Sequence, residues 1–352
     1  LIVNPYAYTS RYTVGSLFAG VGGICQGFKN AGYSVSWANE LDKNACETYK
    51  LNHNKTDLIV GDINDINISK LEKIDIVTAG FPCQPFSQAG HRKGFDDDRG
   101  QVFYRVIDFL GYLKPKAFLL ENVKNLVTHA NGESFNRVKQ AIIGAGYSFI
   151  PFVLRSNDHS DIPQARERLY IVGFIDEPNF NYDHPVKANY LDLGSNYKSK
   201  KFLIPKKTAK RIRCIRDFLD ENFIHPSDYY EKTDNHIHVK VASAINTGCK
   251  NSVYQYRRHY VRQNKSNVCP TLTANMGGGG HNVPIIHDGA RIRRLNPKEC
   301  FNLQGFPSNF IFPNISRGQL YKQAGNSVVV PVIELIAKEI TRVLDEDTKH
   351  TA

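Results

Sequence analysis

A chain of 352 residues, 41% of them apolar, has room for two domains and a buried core, and its formal net charge of +11 favours a polyanionic partner. Seven cysteines, no two closer than 20 positions, make neither a metal-binding CxxC pair nor an even disulfide framework, so no metal site and a reducing compartment, the cytoplasm, are expected. No apolar run approaches the roughly 20 residues that cross a bilayer, which excludes a membrane span, and the first residues do not read as a signal peptide.

The N-terminal half alternates short apolar strands with helical stretches, the pattern of an α/β layer around a mostly parallel sheet. Strands are expected at Val14 to Phe18, Ser34 to Asn39, Asp57 to Val60, Asp75 to Ala79, Ala117 to Leu120, Tyr147 to Leu154 and Leu169 to Phe174. Helices fall between them, at Ile24 to Ala31, Lys43 to Asn52, Gln101 to Leu113 and Phe135 to Ile143. After Phe174 the rhythm dissolves into a polar stretch rich in Asn, Lys, Tyr and Pro, which places a boundary between 175 and 176. Val332, Ile333, Ile336, Ile340, Val343 and Leu344 recur at helical spacing, so the segment 311–352 should end in an amphipathic helix that packs back on the first domain.

The ends of these strands carry the chemistry. The first runs into Phe18-Ala19-Gly20-Val21-Gly22-Gly23, a glycine turn that lets a ligand approach backbone N–H groups. The third glycine of the dinucleotide fingerprint is replaced by Cys25. Glu40 follows 20 residues after Gly20, where an acid accepts ribose hydroxyls, and Asp62 follows the third strand. Two carboxylates without a phosphate-binding lysine suit S-adenosylmethionine better than NAD. The fourth strand leads to Gly80-Phe81-Pro82-Cys83-Gln84-Pro85, a thiol held by two prolines; the alternative is a buried cysteine acting as a small hydrophobe. Gly80 to Gly100 reads as a lid, with Gly90, Gly94 and Gly100 as hinges and His91, Arg92, Lys93 and Arg99 available to phosphates. Glu121, at the end of the fifth strand, emerges on the same sheet edge as Cys83, or else merely caps a helix. Arg166 and Arg168 could clamp a carbonyl oxygen and phosphates, or form a surface ion pair with Glu167.

Charge is concentrated downstream. Between Asp176 and His287 there are 17 Lys/Arg against 10 Asp/Glu, an excess of +7 out of +11. From Asn235 to His287 no acid occurs, while Lys240, Lys250, Arg257, Arg258, Arg262 and Lys265 lie among Tyr254, Tyr256, His259 and Tyr260. Cations mixed with aromatics and amides suit contacts to phosphates and base edges; the alternative is a charged, loop-rich surface.

Taken in order, these segments resemble the DNA cytosine-C5 methyltransferases of bacterial restriction–modification systems over nearly the whole chain. The resemblance is carried by Phe18 to Gly23, Asn39-Glu40, Gly61-Asp62-Ile63, Gly80 to Gln84, Glu121-Asn122-Val123 and Gln164-x-Arg166-x-Arg168. It continues in Arg293-Arg294-Leu295-Asn296-Pro297-Lys298-Glu299-Cys300, Gln304-Gly305-Phe306-Pro307 and Gln323-Ala324-Gly325-Asn326-Ser327-Val328. It implies a Rossmann-like S-adenosylmethionine-dependent sheet over residues 1–175, a smaller target-recognition domain over 176–310, and sequence-specific methylation of a cytosine in double-stranded DNA.

Cytosine C5 is too weak a nucleophile to take a methyl group directly, so the implied mechanism adds the Cys83 thiolate at C6 and neutralises N3 with protonated Glu121. Arg166 and Arg168 are placed near the base by the same resemblance, one polarising O2 and the other holding phosphate or Glu121, with their division open. The implied cofactor residues are Phe18, Ala19, Gly20, Gly22, Gly23, Glu40, Leu41, Asp62, Ile63, Pro82, Asn326 and Val328. The target base must leave the duplex to reach a sheet-edge thiol. DNA contacts are expected from Gln84, Ser87, Arg92, Lys93 and Arg99, and base reading from Arg257, Arg258, Arg262, Thr271 and Asn275, with Thr271-Leu272-Thr273 as the anchor of the reading loops. The resemblance further implies a monomer functionally paired with a restriction endonuclease. A nicotinamide-dependent oxidoreductase would leave the Cys83, Glu121 and arginine set without purpose, a DNA-binding module with a dead catalytic domain would lack one of them, and an RNA cytosine methyltransferase is the nearest alternative.

Overall fold

The computed structural model describes residues 11–82, 98–175, 202–208, 213–220, 222, 225–230, 236–248, 251–257, 259–264, 267–278 and 282–350, with the side chains of 98–101, 247 and 349–350 left aside. The chain divides into two compact units: Leu1–Leu154, Glu167–Lys206 and Val332–Ala352 form the first, and Arg155–Arg166 with Lys207–Pro331 the second. The second unit thus takes in a short piece, Arg155–Arg166, from inside the stretch that the sequence assigns to the catalytic domain.

The first unit is built on β1 (Thr13–Leu17), α1 (Gly23–Asn30), β2 (Ser34–Glu40), α2 (Lys43–Asn52), β3 (Asp57–Val60), β4 (Ile76–Gly80), α3 (Asp98–Leu113), β5 (Ala117–Val123), α4 (Glu133–Gly144) and β6 (Tyr147–Arg155). After α5 (Ser156–His159) and β7 (Gln164–Ala165), both in the second unit, β8 (Glu167–Ile175) returns to the sheet. The strand order is β3-β2-β1-β4-β5-β8-β6. The pairs β2/β3, β1/β2, β1/β4 and β4/β5 are parallel and β5/β8 is antiparallel. Strands buried on both faces read as apolar runs, and β1 after Thr13, β4 before Gly80 and the first half of β5 are buried. The order reverses between β1 and β4, so a crevice opens beyond their carboxyl ends, where such sheets bind ligands.

Helix starts follow local chemistry. Asp42 caps α2, its carboxylate accepting from Asn44 N at 2.9 Å and Ala45 N at 3.2 Å. α3 begins at Asp98, three residues ahead of the expected Gln101, so Gly100 belongs to a helix and the expected loop ends earlier. α9 (Val330–His350) buries Ile333, Ile336, Ala337, Ile340 and Val343. The hydroxyl of Tyr33 donates to Ala337 O at 3.1 Å and accepts from Thr341 Oγ1 at 2.7 Å, tying this helix to the start of β2.

The second unit adds α6 (His236–Thr247), β9 (Val253–Arg257), β10 (Tyr260–Asn264), β11 (Cys269–Pro270), β12 (Ile285–His287), β13 (Ile292–Arg294), α7 (Pro297–Asn302) and α8 (Arg317–Asn326). β10-β9-β12-β13 make an antiparallel sheet, and β11 pairs in parallel with β7. A core of Val241, Ile245, Tyr254, Ile285 and Ile292 joins α6 to this sheet. Arg293, 1% exposed, is bidentate to Glu299 at 2.8 and 2.9 Å and touches Asp288 at 3.0 Å. Asn296 caps α7 reciprocally with Glu299 and Pro297 fills its first turn, so the Arg293 to Cys300 motif is an instruction for folding. Among the described residues no helix is long and apolar enough to cross a membrane.

Candidate active site

The turn after β1 holds three residues in the left-handed region: Phe18 (φ 53°), Gly20 (φ 56°) and Gly22 (φ 86°). Left-handed backbone is costly for phenylalanine, and such strain collects at ligand sites. A Cβ on Gly20 would meet nothing within 4 Å, so the turn leaves an open cradle there. Glu40 holds the cradle in shape: its Oε2 accepts from Gly20 N at 2.7 Å, while Oε1 accepts from Leu41 N at 2.8 Å and Asp42 N at 2.7 Å. Leu41 is 63% exposed and Val60 46%, two apolar side chains left in the open at the ends of β2 and β3. Asp62 accepts from Asn64 N at 2.8 Å, and Ile63 is buried behind it. An open glycine turn, two carboxylates and bare apolar flanks fit a nucleoside-bearing ligand. Ala19 and Gly23 are buried in the turn; Pro82 lies half-buried at the end of β4. Asn326 and Val328 belong to the second unit, Asn326 exposed at the end of α8 and Val328 buried beyond it.

His53 is a residue that the sequence does not signal. A Cβ at position 22 would lie 2.1 Å from its Nε2, so the imidazole fills the place that glycine leaves. Its ring packs against Tyr49, tilted by 33° with centroids 4.4 Å apart, and Nδ1 accepts from Lys29 Nζ at 2.8 Å, since an ammonium can only donate. Burial first, and Lys29 second, push His53 down to about 3, so it is neutral beneath the turn.

At the end of β5, Glu121 is paired in register with Gly80 of β4, three residues before Cys83. Its Oε2 lies 3.5 Å from where a Gly80 Cβ would stand, and Asn122 Nδ2 donates to Phe81 O at 3.2 Å. These contacts fix the carboxylate beside the chain that enters the Pro-Cys-Gln segment. Arg168 Nε lies 3.0 Å from Glu121 Oε1, with both side chains largely shielded. Glu167 pairs with Lys124 rather than with either arginine's side chain.

Arg166 behaves differently. It is 3% exposed and its guanidinium donates to Leu272 O at 2.8 Å, Gly325 O at 3.1 Å and Ser327 O. Gln164 is fully buried beside it, donating to Leu303 O at 2.7 Å and Gln304 Oε1 at 3.1 Å, and accepting from Leu272 N at 3.1 Å. Thus the first two members of the Gln-x-Arg-x-Arg motif organise the backbone of the second unit. Thr271 commits its hydroxyl proton to Ala165 O at 2.6 Å, while Asn275 is exposed in a short turn of 3₁₀ helix.

Of the sequence-derived contacts, Cys83, Gln84, Ser87, Arg92, Lys93 and Arg258 lie outside the described residues, as does the side chain of Arg99. Arg257 and Arg262 are exposed on β9 and β10. Tyr254 is fully buried and Tyr256 packs on the core, so these two aromatics of the basic segment are structural. Among the described residues no cluster of His, Cys, Asp or Glu could hold a metal ion.

A mainly parallel sheet with a glycine cradle and strand-end carboxylates at its switch point defines an enzyme of Rossmann type that binds a nucleoside cofactor. Residues 12–342 match the family of C-5 cytosine-specific DNA methylases. The chain is 45% identical over 332 residues to the Type II methyltransferase M.Bsp6I of Bacillus sp. (strain RFL6), covering 93% of this chain and 98% of that protein. It is 36% identical to M.HaeII of Haemophilus aegyptius, with 96% of each chain covered. The Spodoptera frugiperda DNMT2 mutant superposes with a TM-score of 0.68 at 18% identity, over 94% of this chain and 99% of that one. S. pombe Dnmt2 methyltransferase gives 0.65 at 19%, over 96% and 99%. The chain belongs to the C-5 cytosine-specific DNA methylases. It transfers a methyl group from S-adenosylmethionine to C5 of cytosine in DNA.

Proposed function

We propose that Cys83 is the nucleophile that adds to C6 of a flipped-out cytosine, and that Glu121, oriented by Arg168, is the acid at N3. The observation that carries this reading is the shielded Glu121–Arg168 pair at 3.0 Å, in register with the strand that leads to Cys83. Attack at C6 pushes charge toward N3 and O2. Protonated Glu121 neutralises N3, while Arg168 keeps its carboxyl group aimed and presents a guanidinium to O2. When bound, S-adenosylmethionine supplies the electrophilic methyl group. Loss of the C5 proton to solvent, return of the N3 proton to Glu121 and elimination of the Cys83 thiolate then release methylated cytosine.

The cofactor shell of the first unit is assigned to Phe18, Ala19, Gly20, Gly22, Gly23, Glu40, Leu41, Asp62, Ile63 and Pro82. The open turn at Gly20, held by the Glu40 carboxylate, gives it shape, and Leu41 gives it an apolar wall for a base. Gln84, Ser87, Arg92, Lys93 and Arg99 are assigned to the DNA backbone, and Arg257, Arg258, Arg262 and Asn275 to base reading. The protein acts as a monomer in the bacterial cytoplasm and protects DNA from a restriction endonuclease of the same specificity, as the Type II names of its relatives suggest.

The test is covalent trapping. A duplex carrying 5-fluorocytosine at the target, with S-adenosylmethionine present, should form an adduct on Cys83, because fluorine cannot leave as a proton does. Cys83→Ser should form none while still binding DNA. An adduct on a different cysteine would assign the nucleophile elsewhere.

A further inference from the structure

We infer that the outer face of the β9–β10 ribbon reads guanines in the DNA major groove, with Arg257 and Arg262 as readers and Gln255 as the residue that positions Arg257. This rests on double-stranded DNA being the substrate. The argument begins with register. Tyr256 lies opposite Val261, Gln255 opposite Arg262, and Arg257 opposite Tyr260. Residues opposite one another share a face, and successive residues alternate. Tyr254, Tyr256 and Val261 face the cluster built on Val241 and Ile245 of α6. Lys240 of α6 sits 5.8 Å from the Tyr256 ring and His236 6.0 Å from it, so these two basic side chains are on the inner side as well.

What remains on the other face is Gln255, Arg257, Tyr260 and Arg262 toward the turn, with buried Val253 and half-buried Asn264 at the far end of the ribbon. Arg257 and Arg262 are exposed, Tyr260 is 60% exposed, and neither arginine has an ion pair among the described residues. No acid occurs between Asn235 and His287 to provide one nearby in sequence. Arg257 Nη2 donates to Gln255 Oε1 at 3.2 Å, which tethers the guanidinium to its neighbour on the same face. A two-stranded ribbon fits the major groove, and the planar fork of arginine matches O6 and N7 of guanine. Gln255 has its amide oxygen committed to Arg257, so it orients that reader. Tyr260 then flanks Arg257 with an apolar ring.

The experiment is methylation of a randomised DNA library by the full-length protein with S-adenosylmethionine, read by bisulfite sequencing. Arg257→Ala and Arg262→Ala should each lose preference at one guanine, by about 10- to 100-fold. Arg257→Lys and Arg262→Lys should do likewise, since they keep charge but not the fork. Gln255→Ala should relax the same base pair as Arg257→Ala, more weakly, and add nothing to it in the double variant. Lys240→Ala, on the inner face, should leave the site preference unchanged. Variants that methylate the wild-type site with unchanged preference would reduce the ribbon to a phosphate-binding surface and overturn the inference. Wild-type protein that methylates no cytosine in duplex DNA would overturn the substrate reading, and the ribbon assignment with it.

Discussion

Arg168 and Glu121 are diagonal neighbours across an antiparallel pair: Arg168 stands opposite Val123, two residues from Glu121, on the same face of the sheet. Their 3.0 Å contact therefore follows from strand register and needs no loop to make it. Glu121→Gln should lower kcat by about 10²- to 10⁴-fold, the usual weight of an acid at the reacting group. Arg168→Ala should lower kcat in the same direction with little change in cofactor affinity. Single-turnover kinetics on a cognate duplex would check both, and a variant of either residue with unchanged kcat would remove the pair from the mechanism.

Arg166 has the opposite signature. Replacing it with methionine strips the buried carbonyls of Leu272, Gly325 and Ser327 of their donor, at about 1 to 3 kcal/mol for each unsatisfied group. Arg166→Met should lose stability heavily, whereas Arg168→Ala, which strips a single partner from Glu121, should lose less. Calorimetric unfolding of the two variants side by side separates the roles.

Glu40 couples the glycine cradle to the end of β2 through three backbone N–H groups. Glu40→Ala should weaken S-adenosylmethionine binding by roughly 1 to 3 kcal/mol, through loss of charged hydrogen bonds and of the cradle's shape. Titration calorimetry without DNA measures this directly, and unchanged affinity would place the cofactor elsewhere.

His53 imposes a pH dependence on stability. Its folded value of about 3 lies below the ordinary 6.5, so between those pH values the unfolded chain binds a proton that the folded one refuses. Stability contributed by neutral His53 is therefore complete above about pH 6.5 and is lost on acidification toward 3, by at most about 1.4 kcal/mol per pH unit. Urea unfolding of wild type and His53→Gln across that range should show a shallower slope in the variant.

Thiol reactivity should follow burial. Burial pushes the thiols of Cys25, Cys269 and Cys300 up, and burial with the nearby Glu40 carboxylate raises Cys46 to about 11. These four should resist iodoacetamide at neutral pH, while exposed Cys214 reacts. Peptide mapping after brief alkylation should also find Cys83 modified, and protected once cofactor and DNA are bound.

The parallel sheet was legible because strands buried on both faces are apolar runs cut off by polar residues. It was less legible at its working ends. β5 continues through Glu121 and Asn122, and β8 starts at Glu167, because polar residues at a ligand crevice hide the last turns of a strand. The site residues on strand ends could be found by type and spacing. The separate duties of Arg166 and Arg168 could not, since two residues apart in sequence they belong to different units. In the basic segment, composition groups Tyr254, Gln255, Tyr256 and Arg257 together as one nucleic-acid-binding stretch. Facing, which alternates residue by residue against α6, is what divides them.

The clamp formed by Gln164 and Arg166 also bears on how new specificities arise. Its acceptors at Leu272, Leu303, Gly325 and Ser327 are main-chain carbonyls, indifferent to the side chains at those positions. The ribbon at 253–264 instead hangs on the small apolar cluster under α6. Mutations on the outward positions of that ribbon leave both supports untouched, so the chain can drift toward a different recognition sequence one side chain at a time. Exchanging a whole reading module between relatives is tolerable on the same terms, provided the recipient keeps Gln164 and Arg166 and the donor's backbone brings its carbonyls to the same places.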